Sequence, residues 1–249
     1  MLSIPIFVIN LKKNTDRREY IATQLQNQNI NFTFFEAIDG SDKKNPLLKR
    51  YNYIKRLWLT SGKMPTNGEI GCYASHYSLW QKCVDLGEPI VVVEDDAGIC
   101  EKAALTLKIA ENKIAEYGFL RLEEVENSAT ITIEQQLDYT IKHISKNFWG
   151  TRAYAIAPWA ANKLLANSKR WSVPVDNYIG ANFLHGVESY HLTPNLAKNH
   201  CLFDTTIQTS KNEKTPLYRK PSREFYTAYC QLKQFFHNRK FKKALKVKQ

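Results

Sequence analysis

The chain has 249 residues, 43% of them hydrophobic and 24% charged, and a formal net charge of +11. That length can bury one substantial core, the composition is globular rather than disordered, and no apolar run reaches the ~18 residues of a membrane span. Twelve Lys/Arg against two acids lie between Lys211 and Gln249, a local charge of +10, so the basicity belongs to a tail and the preceding 210 residues are nearly neutral.

Met1 is followed by a strand-like segment rather than a signal peptide. Ile4 to Leu11 predicts a first, central strand, and Tyr20, Ile21 and Leu25 then recur at helical spacing behind Thr15. Phe32 to Ile38 predicts a second strand closed by the Asp39-Gly40 turn, which completes a β-α-β unit. Ser41 to Asn67 has no clear period and many cations, with a hint of a short amphipathic helix between Leu48 and Trp58. Gly68 to Leu86 reads as a helix with Ile70, Ala74, Tyr77 and Trp80 inward. Cys72, Cys83, Cys100, Cys201 and Cys230 are odd in number and lack zinc or disulfide spacing, which predicts free, mostly buried thiols in a reducing cytosol.

Ile90-Val91-Val92-Val93 predicts a strand buried on both faces of a parallel sheet, and it runs straight into Glu94-Asp95-Asp96. Ligands collect at the carboxyl ends of strands in open α/β sheets. Three adjacent carboxylates repel one another unless a cation offsets the charge. Oxygen donors of this kind suit Mg²⁺ or Mn²⁺ bridging to a substrate's phosphates. A bare acidic triplet is as often a solvated turn; the aliphatic strand in front favours the metal-diphosphate reading.

Ala103 to Tyr117 predicts a helix and Gly118 to Leu122 a strand. Ala129–Ile133 and Tyr139–Ile144 read as short strands, Gly150–Ala157 as a longer one, and Pro158–Asn167 as a helix with proline in its first turn. A helix opens at Pro174, a strand covers Val187 to Leu192, and the tail is helical from about Glu224.

Six separated pieces together resemble the bacterial family 25 glycosyltransferases, the lipooligosaccharide galactosyltransferase group. They are Val8–Leu11 with Asp16-Arg17-Arg18; Phe35–Gly40; Gly68–Cys72 with Ser75-His76; Val93–Asp96; Gly150-Thr151 with Ala153-Tyr154; and Pro174-Val175-Asp176. Ala97 departs from the larger aliphatic residue usual in the family, which bears on packing more than chemistry. The resemblance, which covers roughly residues 4 to 207, implies an α/β fold: a GT-A-like, single Rossmann-type domain with a mixed, mostly parallel sheet over residues 1–210. The basic helical extension over 211–249 is read from its charge and pattern and matches nothing in the family. The resemblance also implies a UDP-sugar donor (UDP-galactose), Mn²⁺ or Mg²⁺, inversion to a β-linkage, and a lipooligosaccharide acceptor. Another UDP-hexose or N-acetylhexosamine is the alternative donor.

On that pattern Asp96 is the first choice for metal ligand, with Glu94 and Asp95 in support. Asn10, Arg17 and Arg18, after the first strand and near a helix N-terminus, suit the donor's pyrophosphate. His76 is expected beside the site or on its acceptor side, since a lone helical histidine more often packs than ligates. Inversion requires a base for the acceptor hydroxyl; Asp176 is the preferred candidate, with Glu123 and Glu124 in reserve. His200 is a candidate late metal ligand. The tail, with Phe235, Phe236 and Phe241 among its cations, reads as a basic helix on an anionic membrane, which predicts a peripheral protein on the cytoplasmic face of the inner membrane. A nucleic-acid binder is the competing class, but such proteins spread cations over a folded face and this domain is near neutral. A catalytically dead relative used as a scaffold is the third reading, and the intact acidic triplet argues against it.

Overall fold

Successive side chains of a strand point to opposite faces, and the first strand, β1 (Ile6–Asn10), is covered on both. Ile6 and Val8 join one buried cluster, Phe7 and Ile9 another. In the computed structural model, which describes residues 3–125, 129–145, 150–199 and 215–248, α1 (Thr15–Asn27) and β2 (Thr33–Glu36) follow. β1 and β2 pair in parallel, as the β-α-β reading requires.

The segment without periodicity carries a 3-10 turn at Pro46–Arg50 and a short helix, α2 (Tyr53–Lys55), which widens over Arg56–Thr60. Buried polar groups fasten it. Arg56 Nη2 lies 2.6 Å from Glu69 Oε2, and the Tyr51 hydroxyl donates to Glu69 Oε1 at 2.5 Å. Hydrophobic spacing could not announce an element held this way.

Glu69 lies in the first turn of α3 (Asn67–Leu86), where the Thr66 side chain accepts from the Glu69 amide and so satisfies one of the orphan donors of the helix start. Next come β3 (Ile90–Glu94), β4 (Ala97–Ile99), α4 (Ala103–Tyr117) and β5 (Phe119–Arg121). β6 (Thr130–Gln135) and β7 (Thr140–Ile144) form an antiparallel hairpin with one register shift. The chain continues through β8 (Ala153–Ile156), α5 (Pro158–Asn167), α6 (Val175–Ile179), α7 (Asn182–His185), β9 (Tyr190–Thr193) and β10 (Ala197–Asn199).

The main sheet has the order β2-β1-β3-β8-β5-β9-β7-β6. Following the pairings across it, six strands run one way and only β8 and β7 are reversed. This is the mixed α/β sheet of the sequence reading, with most of its strands running one way. Helices α1 and α4 cover one face through Ile21, Leu25, Leu107 and Ile114. Helices α3 and α5 cover the other through Tyr73, Trp80, Ala160 and Leu164. Val91, Val92 and Val93 of β3 are fully buried between the layers, each contributing about 1.5–3 kcal/mol. β4, which sequence patterning did not predict, pairs with β10 in a separate two-stranded sheet. Of the described cysteines, Cys83 alone is fully buried and Cys72, Cys100 and Cys230 are partly exposed, so the thiols are less enclosed than composition suggests.

The basic extension forms one helix, α8 (Lys220–Lys248), lying against the domain. His237 Nε2 is 2.5 Å from Glu188, Gln234 donates to Asn182, and Asn238 donates to the Ser145 carbonyl. Phe241 stacks on His143 with ring centroids 3.8 Å apart. Phe241 is therefore a docking residue of the helix, whereas Phe235 and Phe236 are exposed.

Candidate active site

β1 and β3 lie side by side and in parallel, so their carboxyl ends bring Asn10 and Glu94-Asp95-Asp96 together. Asp95 is held on both oxygens: Asn10 Nδ2 donates to Oδ2 at 2.7 Å and Arg17 Nη1 to Oδ1 at 3.2 Å. Burial raises its pKa, with Asn10 and Arg17 pulling the other way. Arg18 reaches the Asn10 side-chain oxygen at 3.3 Å and lies over the Phe34 ring at 3.6 Å. Asn10, Arg17 and Asp95 thus form one network at the strand ends, with Arg18 packed at its edge.

Asp96 differs. Its Oδ2 is 3.9 Å from Arg17 Nη1, but its buried Oδ1 has no hydrogen-bond partner among the described residues. Burial, and then the neighbouring Glu94 charge, push its pKa up to about 6. A buried carboxylate oxygen without a donor is costly, and such an oxygen is open to a proton, a water or a divalent cation. Glu94 Oε1 is held by His76 Nε2 at 3.1 Å and by the Thr151 hydroxyl at 2.5 Å. Burial opposes its ionised form, yet the His76 and Thr151 hydrogen bonds and the Arg152 charge hold its pKa below the usual range.

Behind Glu94 runs a chain of buried donors. Trp80 Nε1 donates to the Tyr154 hydroxyl at 3.1 Å, and that hydroxyl is 2.9 Å from His76 Nδ1. An indole N–H only donates, so the Tyr154 oxygen accepts from Trp80 and its proton is directed to His76. His76 then accepts at Nδ1 and donates from Nε2 to Glu94. Cys72, one turn before His76, completes a group whose Sγ, ring nitrogen and Glu94 oxygen lie within 4.8 Å of one another. His76 is fully committed to this chain, so the oxygen donors of Glu94 and Asp96 fit a hard cation better than the Cys72–His76 pair does.

These acids form one end of a cavity of about 310 Å³. Lys13, Asn14 and Arg17 also line it, as do the Ala37–Ser41 loop and the first turns of α3 at Asn67, Gly68, Gly71 and Cys72. The loop and helix touch backbone to backbone: a Cβ on Gly40 would lie 1.8 Å from the Asn67 carbonyl oxygen, and one on Gly71 2.5 Å from that of Ile38. Glycine at both positions therefore lets the loop close on the helix start. Positive side chains and a helix N-terminus facing an acidic floor make a site for an anion and a cation together.

The remaining candidates lie apart from the cavity wall. Asp176, in the first turn of α6, accepts backbone hydrogen bonds from Asn177 and Gly150; burial raises its pKa, and it feels the charges of Arg121 and Glu94. Glu123 is fully buried, with Oε1 3.4 Å from Arg121 and Oε2 accepting from the Arg152 amide at 3.1 Å. Burial pushes its pKa up to about 7. Glu124 is exposed. His200 lies outside the described residues. Sequence reasoning assigned no role to Trp80, Thr151 or Tyr154; the Gly150–Tyr154 piece figured only in the resemblance, and nothing local marks a tyrosine whose partners come from another helix.

Comparison with known proteins gives a match to Glycosyltransferase family 25 (LPS biosynthesis protein) over residues 3–179. The chain is similar to the lipooligosaccharide biosynthesis protein lic2B of Haemophilus influenzae, 33% identical over 173 residues, covering 65% of this chain and 62% of that one. It is 39% identical over 95 residues to human procollagen galactosyltransferase 2, covering 36% of this chain and 15% of that one. It is 29% identical over 204 residues to human inactive glycosyltransferase 25 family member 3, covering 74% of this chain and 33% of that one. The chain thus spans less than two thirds of the length of each of these relatives.

Proposed function

Because the chain belongs to glycosyltransferase family 25, we propose that it moves a hexose from a UDP-sugar to a growing lipooligosaccharide, with inversion at the anomeric carbon. Galactose is the favoured sugar, on the similarity to a procollagen galactosyltransferase, and the acceptor class follows the similarity to lic2B. The observation that carries the reading is Asp96 Oδ1, without a hydrogen-bond partner among the described residues, in a cavity that Lys13 and Arg17 line together with Glu94, Asp95 and Asp96.

In this reading the donor's diphosphate lies between Arg17, Lys13 and the N-terminus of α3. Asp96 and Glu94 would hold Mn²⁺ or Mg²⁺, which supplies Lewis-acid neutralisation of the departing diphosphate. Asp95, saturated by Asn10 and Arg17, fixes Arg17 rather than ligating. Asp176, outside the cavity wall but close enough to feel the Glu94 charge, is assigned to the acceptor side, where its ionised carboxylate would take the proton of the acceptor hydroxyl as that oxygen attacks the anomeric carbon. Glu123 is a poorer base, since its oxygens are enclosed and shared with Arg121 and Arg152. An acceptor of this class under assembly would put the protein at the cytoplasmic face of the inner membrane.

The test is a donor panel with Mn²⁺: hydrolysis and transfer from UDP-galactose, UDP-glucose and their N-acetylamino counterparts, with and without EDTA, beside Asp96→Ala. Metal-dependent turnover of one donor, lost in the variant, is the expected result. UDP binding without turnover of any donor would favour a silent relative, of which the family has a named example. Absence of nucleotide binding would overturn the reading.

A further inference from the structure

We infer that the outer face of α8, together with the exposed side of the helix over residues 53–60, is a built surface for an anionic lipid bilayer. Residues four and three apart share a helix face. Phe225, Tyr229, Leu232 and Phe236 follow one another at that spacing and are all exposed, Phe225 at 82%. The same spacing continues through Arg239, Lys243 and Lys246, so one uninterrupted stripe passes from apolar to cationic along the helix. Half a turn away, Cys230, Gln234, His237 and Phe241 are partly buried on the side that docks on the domain. The stripe is therefore the face that the described residues leave uncovered.

The surface is not confined to the tail. Trp58 lies beside Tyr218 with ring centroids 5.9 Å apart, and the Ser222 hydroxyl donates to the Trp58 carbonyl at 2.6 Å. Ile54, one turn before Trp58, is 76% exposed. Exposed apolar side chains from two separate elements thus meet at the start of α8. A patch of that kind marks an interaction site rather than scattered surface residues.

Charge decides the occupant. α8 carries nine Lys/Arg and one acid between Lys220 and Lys248. The stripe's spacing would also suit a coiled-coil seam with a second copy, but a parallel pair would oppose Arg239, Lys243 and Lys246 to like charges, and an antiparallel pair would bury them against the apolar half without acidic partners. Aromatic side chains beside cations suit the headgroup–acyl boundary of an anionic membrane. The attachment does not depend on the donor or on catalysis.

The experiment is flotation of the full chain with vesicles of phosphatidylcholine alone or mixed with phosphatidylglycerol, at low and high salt. Wild-type protein is expected on the anionic vesicles only. The triple variant Arg239→Gln, Lys243→Gln, Lys246→Gln is expected to lose about a hundredfold in partitioning, since each cation near such a surface is worth about fivefold. Phe225→Ser with Phe236→Ser, at positions more than half exposed, is expected to lose at least about tenfold while keeping the wild-type circular dichroism spectrum. Ile54→Ser is expected to weaken binding with the tail intact. Equal binding to neutral vesicles, or variants that bind as wild type, would overturn the inference. So would a wild-type dimer in sedimentation that the aromatic variant dissociates and that does not float. Flotation reads no sugar transfer, so this result and the donor panel stand or fall separately.

Discussion

His76 Nε2 lies 3.1 Å from Glu94 Oε1 and is the last donor in a buried line that begins at Trp80 and passes through the Tyr154 hydroxyl. The line holds His76 by both ring nitrogens, and with them the direction in which Glu94 is held. Hydrogen bonds behind a ligating carboxylate set its orientation.

Tyr154→Phe removes one oxygen and strands two partners, Trp80 Nε1 and His76 Nδ1. The expected cost is about 1–3 kcal/mol of stability, read by denaturant unfolding, with metal affinity about tenfold weaker or more, read by Mn²⁺ titration. A packing role alone would lower stability and leave the titration unchanged. That outcome would reduce Tyr154 to a core residue.

Asp96 sets function against stability. Its folded pKa of about 6 lies above the usual aspartate value, so the folded chain binds its proton more tightly than the unfolded chain does. The stability associated with that proton is present in acid and is lost as pH rises toward about 6. Asp96→Asn is therefore expected to stabilise the metal-free protein at neutral pH by about 1–2 kcal/mol, a difference that fades as pH falls through about 6 toward the ordinary aspartate value. Mn²⁺ should reverse the order by raising the wild-type melting temperature alone. A variant less stable than wild type in EDTA would show that Asp96 is satisfied without a cation.

The acids of β3 also show what a sequence can and cannot disclose. Four aliphatic residues ending in three carboxylates are a local pattern, and both the buried strand and a candidate site at its end are legible from it, where the structure has a cavity lined by all three acids. Within the triplet the sequence offers no distinction. The structure makes Asp95 a partner of Asn10 and Arg17, Glu94 a partner of His76 and Thr151, and leaves one oxygen of Asp96 over. Those partners come from β1, α1, α3 and the approach to β8, and only the folded sheet brings them together. Phe241 is a similar case: in sequence it is one aromatic among lysines, and the position of His143 decides that it faces inward. The helix over 53–60 was only hinted at because a buried ion pair, rather than an apolar stripe, anchors it.

Asp176 and Glu123 can be separated by kinetics. Asp176→Asn should lower kcat about 10²–10⁴-fold and leave the UDP dissociation constant unchanged. Burial raises the Asp176 pKa, and a base must be ionised to act. The acid limb of wild-type kcat/KM should therefore lie above the usual aspartate range, with activity rising as pH rises through it. Glu123→Gln should act on folding instead, through Arg121 and Arg152. If Asp176→Asn keeps kcat while Glu123→Gln abolishes it without unfolding the chain, the roles are reversed.

Glu188 joins the extension to the domain. One oxygen lies 2.8 Å from His143 Nε2 and accepts from Asn182 Nδ2 at 2.7 Å, while the other lies 2.5 Å from His237 Nε2 on α8. Burial opposes its charge, but the His143 and His237 interactions win and hold its pKa below the usual carboxylate range. A carboxyl with a depressed folded pKa contributes stability above its unfolded pKa and loses it as pH falls through the folded value. Protection of the α8 amides against hydrogen exchange should accordingly hold through neutral pH and fail only in acid. Glu188→Gln removes the charge that both histidines face, and His143 is fully buried. Weakening hydrogen bonds to a buried partner costs about 1–3 kcal/mol, toward the low end here because the Glu188 side chain is 18% exposed. The variant should lose α8 protection at neutral pH while β1 and β3 exchange as in wild type. Unchanged α8 protection would shift the docking to the Phe241–His143 stack, which Phe241→Ala would then release.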